Sequence, residues 1–281
     1  MKKVSIRLCC GTATRMLNSK SQYLLLDVGG TFIKRSDGTQ VHIHSSGSRE
    51  EIAAALREAV GDVSAVKGVG VSIPGPFDYR EGVFLMKHKY AAVYGGSFRS
   101  LAGIPEGVEL RFMHDVNAPL LGALRTLGLQ DAALVTIGTG LGFSYARGGE
   151  VQTSVSGSPA RSIWNLPFGD GILEDAVSAR GISASYTHIS GEALLNAKAV
   201  SERARKGDET AAQAYLQAGS TLGAALKSVL GELGITVLLM GGQVCRSLDL
   251  MLPALAPELP GVSIQRLEDG AVFKGLATLF E

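Results

Sequence analysis

Residues 23–31 read Tyr-Leu-Leu-Leu-Asp-Val-Gly-Gly-Thr, and residues 134–140 read Leu-Val-Thr-Ile-Gly-Thr-Gly. Each stretch is an apolar, β-prone run that ends in a turn of glycine and threonine. A strand-like segment follows each turn, so both stretches predict a strand–turn–strand unit. Two such units about one domain apart indicate an internal duplication. We expect the two turns to hold one ligand between them, and the phosphate tail of a nucleotide suits glycine turns best.

The sequence after the first turn excludes two other phosphate-binding motifs. A Walker A loop needs Gly-Lys-Ser/Thr at the start of a helix, and a dinucleotide fingerprint needs Gly-x-Gly-x-x-Gly there. Residues 31–35 resume strand character instead, and Asp37-Gly38 is a hairpin signal. A structural hairpin that binds no ligand is the alternative interpretation of each unit.

The first turn carries groups that suit a phosphate and a magnesium ion. The backbone N–H groups of Gly29 and Gly30 can form an anion nest, to which the Thr31 hydroxyl can add a donor. Asp27, at the end of the strand, can hold a hydrated Mg²⁺, which prefers a carboxylate together with waters and phosphate oxygens. The alternative is that Asp27 only accepts hydrogen bonds within a tight turn.

Two further signals lie between the repeated units. A short strand over residues 69–73 is closed by Pro74-Gly75-Pro76, a rigid turn of a kind that often borders a cleft. Strand character over residues 108–114 ends at Asp115, and a helix pattern begins near Ala118. Asp115 can cap this helix, or it can face a cleft as a base that accepts a hydroxyl proton.

Composition sets the class of protein. The 281 residues favour about two domains, and a charged share of 19% with a net charge of +1 gives no reason to expect a nucleic-acid or membrane partner. Three cysteines are too few for a disulfide framework and lack the spacing of a zinc site, so we expect a reducing cytoplasm. Amphipathic patterns predict helices over residues 49–60, 191–206 and 211–233, and residues 270–279 predict a final helix.

The order of the motifs resembles the ROK family of sugar kinases and sugar-responsive repressors, within the actin/hexokinase-like ATPase superfamily. The resemblance runs from about residue 22 to the C-terminus. It is carried by residues 27–31, 72–76, 114–118, 138–142, 171–182, 204–208 and 237–243.

The resemblance implies an α/β fold in which two ribonuclease-H-like, actin-like ATPase domains flank a cleft. We expect a disordered leader over residues 1–21, a first domain over 22–118 and a second over 119–281. Similar proteins also lead us to expect that the last helix folds back on the first domain.

The resemblance further implies that ATP is the phosphoryl donor, used together with Mg²⁺. Residues 27–31 would form the first phosphate loop, with Asp27 near the magnesium ion and Lys34 beside the phosphates. Gly138, Thr139 and Gly140 would form the second phosphate loop, close to the γ-phosphate. Gly241, Gly242 and Gln243 would form the adenosine site.

On the sugar side, the resemblance makes Asp115 the general base that deprotonates a sugar hydroxyl. The candidate sugar-binding residues, besides Asp115 itself, are Pro74, Gly75, His114, Asn117 and Asn165. The sequence departs from the family here, because His114 stands where Asn is common and residues 155–170 contain neither a Glu-x-Gly-His element nor a zinc loop. We therefore predict no zinc site, and His114 is interpreted either as a sugar ligand or as a hydrogen-bonded histidine at a strand end.

These features predict an ATP-dependent kinase that acts in the cytoplasm on a hydroxyl of a hexose or amino sugar, and the resemblance implies a homodimer. The alternative is a catalytically silent sugar-binding or regulatory protein of the same fold. Polyphosphate also stays open as a donor, since some relatives without the zinc loop accept it.

Overall fold

The structure is a computed structural model that describes residues 22–192 and 196–281, and the predicted leader lies outside these residues. The strands are β1 (Tyr23–Val28), β2 (Phe32–Arg35), β3 (Gln40–His42), β4 (Gly68–Ile73), β5 (Phe77–Asp78), β6 (Val83–Phe84), β7 (Glu109–His114), β8 (Ala132–Ile137), β9 (Leu141–Arg147), β10 (Glu150–Val151), β11 (Pro167–Phe168), β12 (Gly171–Ile172), β13 (Val237–Gly241) and β14 (Ser263–Arg266). The helices are α1 (Arg49–Val60), α2 (Phe98–Ala102), α3 (Asn117–Leu127), α4 (Leu173–Val177), α5 (Ala179–Ser190), α6 (Ala197–Ala204), α7 (Glu209–Leu233), α8 (Leu248–Glu258) and α9 (Ala271–Ala277).

Two five-stranded sheets repeat one topology. The first has the order β3-β2-β1-β4-β7 and the second the order β10-β9-β8-β13-β14. In each sheet three strands form an antiparallel meander, and two more strands then add in parallel to the first strand of that meander. The duplication expected from the two glycine turns is therefore present in the sheets, and each turn joins the first two strands of its meander.

Helix α1 begins and ends where the sequence predicts. Ser48 accepts a hydrogen bond from the Glu51 N–H, and the Glu51 carboxylate accepts one from the Ser48 N–H at 2.8 Å. This reciprocal capping box satisfies two N–H groups that the first turn of a helix leaves without partners. The buried residues of α1 lie on one face, which packs into the core beside the first sheet.

The helix predicted over residues 191–206 is present as α6, Ala197–Ala204, but its predicted start at Gly191 is wrong. Helix α5 ends at Ser190, and Gly191 caps it with a φ of 70°. The next helix, α6, begins only at Ala197, after Asn196 has accepted a hydrogen bond from Ala199 N–H. Gly191 therefore ends one helix rather than opening the next, because the left-handed backbone that closes α5 favours glycine.

Helices α3 and α9 pack against each other through two glycines. A Cβ atom on Gly275 would lie 1.8 Å from the Ala118 carbonyl oxygen, and one on Gly122 would lie 1.9 Å from the Ala271 carbonyl oxygen. Helix α9 also packs on the first sheet, where Leu276 shares a buried cluster with β1. The predicted domain boundary at residues 118/119 falls in the first turn of α3 and stays a prediction.

Among the helices of the described residues, none combines the length and apolar character that crossing a membrane requires.

Candidate active site

A cavity of about 210 Å³ brings together residues from both sheets. Asp27, Lys34 and Asp115 line it from the first sheet, and the turn Gly241-Gly242-Gln243 lines it from the second. The repeated topology explains this meeting, because Asp27 lies near the carboxyl end of β1, Asp115 directly follows β7, and Gly241 ends β13. Six of the residues predicted from the sequence thus share one cavity.

Asp27 is held at the cavity wall by two side chains. Lys34 Nζ lies 3.3 Å from Asp27 Oδ2, and the Ser72 hydroxyl donates to Asp27 Oδ1 at 3.2 Å. Burial raises the pKa of Asp27, and the negative charge of Asp115 raises it further, while Lys34 and Ser72 oppose the increase. An additional cation beside Asp27 would therefore stabilise its ionised carboxylate.

Asp115 has the opposite balance. Burial alone would raise its pKa, but the hydrogen bond and charge of His114, the charge of Lys89 and the Val116 backbone N–H together lower it. His114 Nδ1 lies 2.9 Å from Asp115 Oδ1, and the Asp115 side chain is 38% exposed. Asp115 is thus an ionised, solvent-accessible carboxylate, which is the state that a proton acceptor needs.

The first glycine turn is fixed by bonds to its carbonyl groups. The Tyr90 hydroxyl donates to the Gly29 carbonyl, Ser45 N–H donates to the Gly30 carbonyl at 3.2 Å, and Gly29 N–H donates to Phe32. Burial and the charge of Asp27 raise the pKa of Tyr90, so this hydroxyl stays protonated as a donor. Within the described chain, the N–H groups of Gly30 and Thr31 donate to no backbone acceptor, which leaves them suited to bind an anion.

The second glycine turn is closed on itself and on the following helices. Gly138 N–H donates to the Gly140 carbonyl at 2.9 Å, and Ala179 N–H donates to the Gly138 carbonyl at 2.9 Å. Glu174 Oε2 accepts from Leu141 N–H at 2.9 Å, directly after the turn. Gly138, Thr139 and Gly140 do not line the cavity that contains Asp27 and Asp115.

The third predicted turn packs tightly against the second sheet. Gly242 has a φ of 87°, and a Cβ atom there would lie 2.4 Å from the Ile137 carbonyl oxygen. Only glycine fits this contact, because both the left-handed backbone and the close approach exclude a side chain. Gly242 thereby links β13 to the residue that precedes the second glycine turn.

The predicted sugar-binding residues lie in different environments. Pro74 and Gly75 are half-buried, and a Cβ atom on Gly75 would lie 3.4 Å from His114 Nε2. Asn165 is exposed, and its Oδ1 accepts from the Ser162 hydroxyl at 3.1 Å. None of these residues lines the cavity around Asp115, and their contact with a sugar stays a prediction.

Asn117 is buried, and both ends of its amide are occupied. Its Nδ2 donates to the Gly157 carbonyl at 3.2 Å, and its Oδ1 accepts from the Ser144 hydroxyl at 2.7 Å. These bonds connect the start of α3 to β9 and to the loop around residue 157. The geometry gives Asn117 a structural task, and no free polar atom of its amide is exposed to a sugar.

Several residues at the site escaped the sequence analysis. Ser72 and Tyr90 hold Asp27 and the first turn, and Lys89 adds positive charge near Asp115. Arg246 and Arg266 line the cavity from the second half of the chain. The charged run Lys87-His88-Lys89 is a sequence feature that could have pointed to Lys89. Nothing in the local pattern distinguishes the two arginines from surface residues.

The residues present fit a magnesium ion. Mg²⁺ is commonly held by one or two carboxylates together with waters and phosphate oxygens, and Asp27 offers one partly buried carboxylate at a cavity. A metal site made entirely of protein side chains would need several such groups close together. In the described ranges, no group of three or more His, Cys, Asp or Glu side chains is arranged to hold a metal ion.

No family model matches the sequence, and no curated protein matches it. Solved structures do match. The ROK hexokinase of Thermus thermophilus is 22% identical over 91% of this chain and 96% of that chain, with a TM-score of 0.69. A ROK family glucokinase of Streptomyces griseus in complex with glucose and AMPPNP is 21% identical over 91% and 98%, with a TM-score of 0.72. A ROK family transcriptional regulator, a homologue of the E. coli MLC protein, is 17% identical over 92% and 77%, with a TM-score of 0.76.

At these identities the similarity establishes the fold. Both kinases are matched over nearly their whole length, and the two sheets repeat one topology as the duplication requires. The chain therefore has the α/β fold of these solved ROK family structures.

Proposed function

We propose that this chain is a sugar kinase of the ROK family, which transfers the γ-phosphate of ATP to a hydroxyl group of a hexose or amino sugar. The observation that carries the proposal is the meeting of Asp115, Asp27 and Lys34 with the turn Gly241-Gly242-Gln243 in one cavity. Phosphoryl transfer needs positioned charges and one group that orients the acceptor, and this cavity offers both.

Asp115 acts as the general base in this proposal. Its carboxylate accepts the proton of the sugar hydroxyl as the hydroxyl oxygen attacks the γ-phosphorus. The lowered pKa keeps Asp115 ionised at neutral pH, so the acceptor site is ready before the sugar binds. One carboxylate suffices for this step, because the transition state of phosphoryl transfer demands little further chemistry from the protein.

The opposite side of the cavity holds the donor. The free N–H groups of Gly30 and Thr31 bind phosphate oxygens, Lys34 neutralises charge beside them, and Gly241, Gly242 and Gln243 contact adenosine. Gly138, Thr139 and Gly140 approach the γ-phosphate once the two domains close. A magnesium ion bound near Asp27 would neutralise the charge of the phosphates. The glucokinase of the same fold was solved with AMPPNP, which supports ATP as the donor.

A regulatory protein that binds sugar without turnover is the second candidate. Two observations favour it: a transcriptional regulator has the same fold at a TM-score of 0.76, and residues 155–170 lack the family's Glu-x-Gly-His element. The ionised Asp115 beside Asp27 and Lys34 favours the kinase, since a silent binding protein has no use for a base at this position.

An ADP-release assay over hexoses and N-acetylhexosamines separates the two candidates. We expect sugar-dependent release of ADP with at least one sugar, and polyphosphate replaces ATP in a parallel series. Isothermal calorimetry measures sugar binding in the same panel. Binding without turnover for any sugar and either donor would favour the regulatory protein. We also propose that the protein is a homodimer in the cytoplasm, and sedimentation velocity tests the dimer.

A further inference from the structure

His114 is the last residue of β7 and directly precedes Asp115. Its side chain is only 15% exposed. One ring nitrogen, Nδ1, lies 2.9 Å from Asp115 Oδ1 and 3.3 Å from the backbone nitrogen of Val116. Both contacts are within hydrogen-bonding distance, so one atom faces the candidate base and the first backbone N–H beyond it.

Nδ1 cannot make both hydrogen bonds in one protonation state. The Val116 N–H only donates, so its bond requires an Nδ1 without a proton. The ionised Asp115 carboxylate only accepts, so its bond requires a proton on Nδ1. When Nδ1 carries the proton, the ring no longer accepts from the Val116 N–H, which is then available to Asp115 and acts to lower its pKa. The protonation state of the ring therefore decides how many donors reach the Asp115 carboxylate.

The other edge of the ring is enclosed by the turn after β4. A Cβ atom on Gly75 would lie 3.4 Å from His114 Nε2 and 3.2 Å from the Tyr79 hydroxyl. The Tyr79 hydroxyl itself donates to the Ile73 carbonyl, and its ring centroid lies 5.7 Å from that of His114. Nε2 is thus packed against the Pro-Gly turn, and the polar edge that meets the site is Nδ1.

Resting on the proposed kinase function, we propose that His114 is a positioning residue that acts through Nδ1 on Asp115 rather than a ligand of the sugar. With a proton on Nδ1, His114 donates to Asp115 Oδ1 and fixes the carboxylate that accepts the hydroxyl proton, while the Val116 N–H is available to the same carboxylate. With Nδ1 bare, the ring accepts from Val116 and releases the carboxylate. A doubly protonated ring adds positive charge and makes Asp115 a weaker base.

Other ionisable groups also act on this pair. Lys89 lies on the loop before the short 3₁₀ turn Ala91–Val93, Tyr79 follows β5, and Asp27 faces Asp115 across the cavity. Lys89 lowers the pKa of Asp115, and the charge of Asp115 raises the pKa values of Asp27 and Tyr79, but among these groups only His114 is in hydrogen-bonding contact with the Asp115 carboxylate. A change of pH profile that follows substitution of His114 alone therefore reports on this contact.

Two isosteric variants separate action through Nδ1 from a direct contact with sugar. His114→Asn places an amide near the position of Nδ1, and His114→Gln places one near Nε2. We expect His114→Asn to keep kcat within about threefold and to flatten its dependence on pH. We expect His114→Gln to lose about tenfold or more in kcat with little change in KM. The reverse pattern, in which Gln preserves turnover and Asn raises KM for the sugar, would overturn the proposal.

A second measurement needs no activity at all. Long-range ¹⁵N–¹H NMR of histidine-labelled protein reports the protonation of each ring nitrogen, and loss of one signal in His114→Asn assigns His114 among the five histidines. We expect Asp115→Asn to change the protonation state or tautomer of His114. An unchanged His114 signal in that variant would contradict the proposal. If the wild type shows no kinase activity but this response is present, the proposed function fails and the His114–Asp115 contact stands.

Discussion

The two glycine turns look alike in sequence and differ in what surrounds them. The first, residues 29–31, follows Asp27 and precedes Lys34, and both of these charged side chains line the cavity. The second, residues 138–140, has no charged neighbour along the chain. Ala179 N–H donates to its Gly138 carbonyl, and Glu174 accepts from Leu141 N–H directly after it. Duplication therefore preserved the backbone of the unit, and of the two units only the first has charged side chains that line the cavity.

The two turns therefore differ in their charged neighbours rather than in the bonds of their backbone N–H groups. In the first turn Gly29 N–H bonds to the Phe32 carbonyl, bonds from Tyr90 and Ser45 hold the Gly29 and Gly30 carbonyls, and the N–H groups of Gly30 and Thr31 donate to no backbone acceptor in the described residues. The second turn has the same pattern: Gly138 N–H bonds to the Gly140 carbonyl, and in the described residues the N–H groups of Thr139 and Gly140 donate to no backbone acceptor. Substitutions that act on one turn and spare the other test this contrast.

The largest expected effect is on folding. Gly242→Ala places a methyl group 2.4 Å from the Ile137 carbonyl at a φ of 87°, so we expect the free energy of unfolding to fall by about 3 kcal/mol. The matched control is Gly138→Ala, where nothing lies within 4 Å of the added Cβ, and the change should stay within about 0.5 kcal/mol. Urea unfolding measures the free energy of unfolding of both variants. Equal decreases would show that the close approach of Gly242 to Ile137 is not needed for stability.

A smaller effect is expected on magnesium. Asp27→Asn removes the carboxylate assigned to the ion, so the Mg²⁺ concentration for half-maximal phosphoryl transfer should rise about 10–100-fold. Asp37→Asn is the control, since Asp37 lies in the next turn and bonds to Thr39 and Arg35. If Asp27→Asn and wild type respond to Mg²⁺ identically, the first turn is not the metal-binding copy.

Glu174 supports the second turn by accepting a hydrogen bond from Leu141 N–H, and its loss should lower the stability of the protein. Glu174→Ala removes the charged acceptor of Leu141 N–H, which we expect to lower the free energy of unfolding by about 1–2 kcal/mol. Asp175→Ala breaks only an exposed ion pair with Arg180, so its effect should be below about 0.5 kcal/mol. Differential scanning calorimetry compares the two, and similar losses would remove the support role of Glu174.

The smallest effect concerns how stability depends on pH, and it should have opposite signs at the two carboxylates. Asp27 has a raised pKa in the folded state, so its ionisation opposes folding, and Asp27→Asn should be more stable than wild type at pH 7. Asp115 has a lowered pKa, so its ionisation favours folding, and Asp115→Asn should be less stable at pH 7.

Both differences should disappear in acid. The Asp27 penalty develops as the pH rises above the ordinary aspartate pKa of 3.8, and the Asp115 contribution is lost as the pH falls from 3.8 through its lowered value. Urea unfolding from pH 3 to pH 7 follows both variants. Differences of the same sign would mean that burial dominates at both positions.

Much of the fold could be predicted from local patterns. Ser48 and Glu51 carry the capping box of α1, and the repeated apolar runs before Gly29 and Gly138 predict both sheets. The start of the helix predicted at 191–206 was wrong because glycine is compatible with either side of a helix end, and Gly191 caps α5 instead.

The site could be predicted where its residues sit at strand ends and less well elsewhere. Asp27 and Asp115 were identified because a carboxylate at the end of a strand-like run stands out in the sequence. The environment of Asn117 could not be foreseen, since its partners, Ser144 and Gly157, are 27 and 40 residues away along the chain. The same holds for His114, whose contact with its neighbour Asp115 depends on how Gly75 packs against its ring.

The most direct test of the account is phosphoryl transfer by Asp115→Asn, measured together with ATP binding. The variant keeps the size of the side chain and removes the proton acceptor, so kcat should fall about 10²–10⁴-fold while the Kd for ATP stays within about twofold. This result would assign the base to the first domain, opposite the adenosine turn. Turnover near the wild-type rate in a folded variant that binds ATP would contradict the central claim.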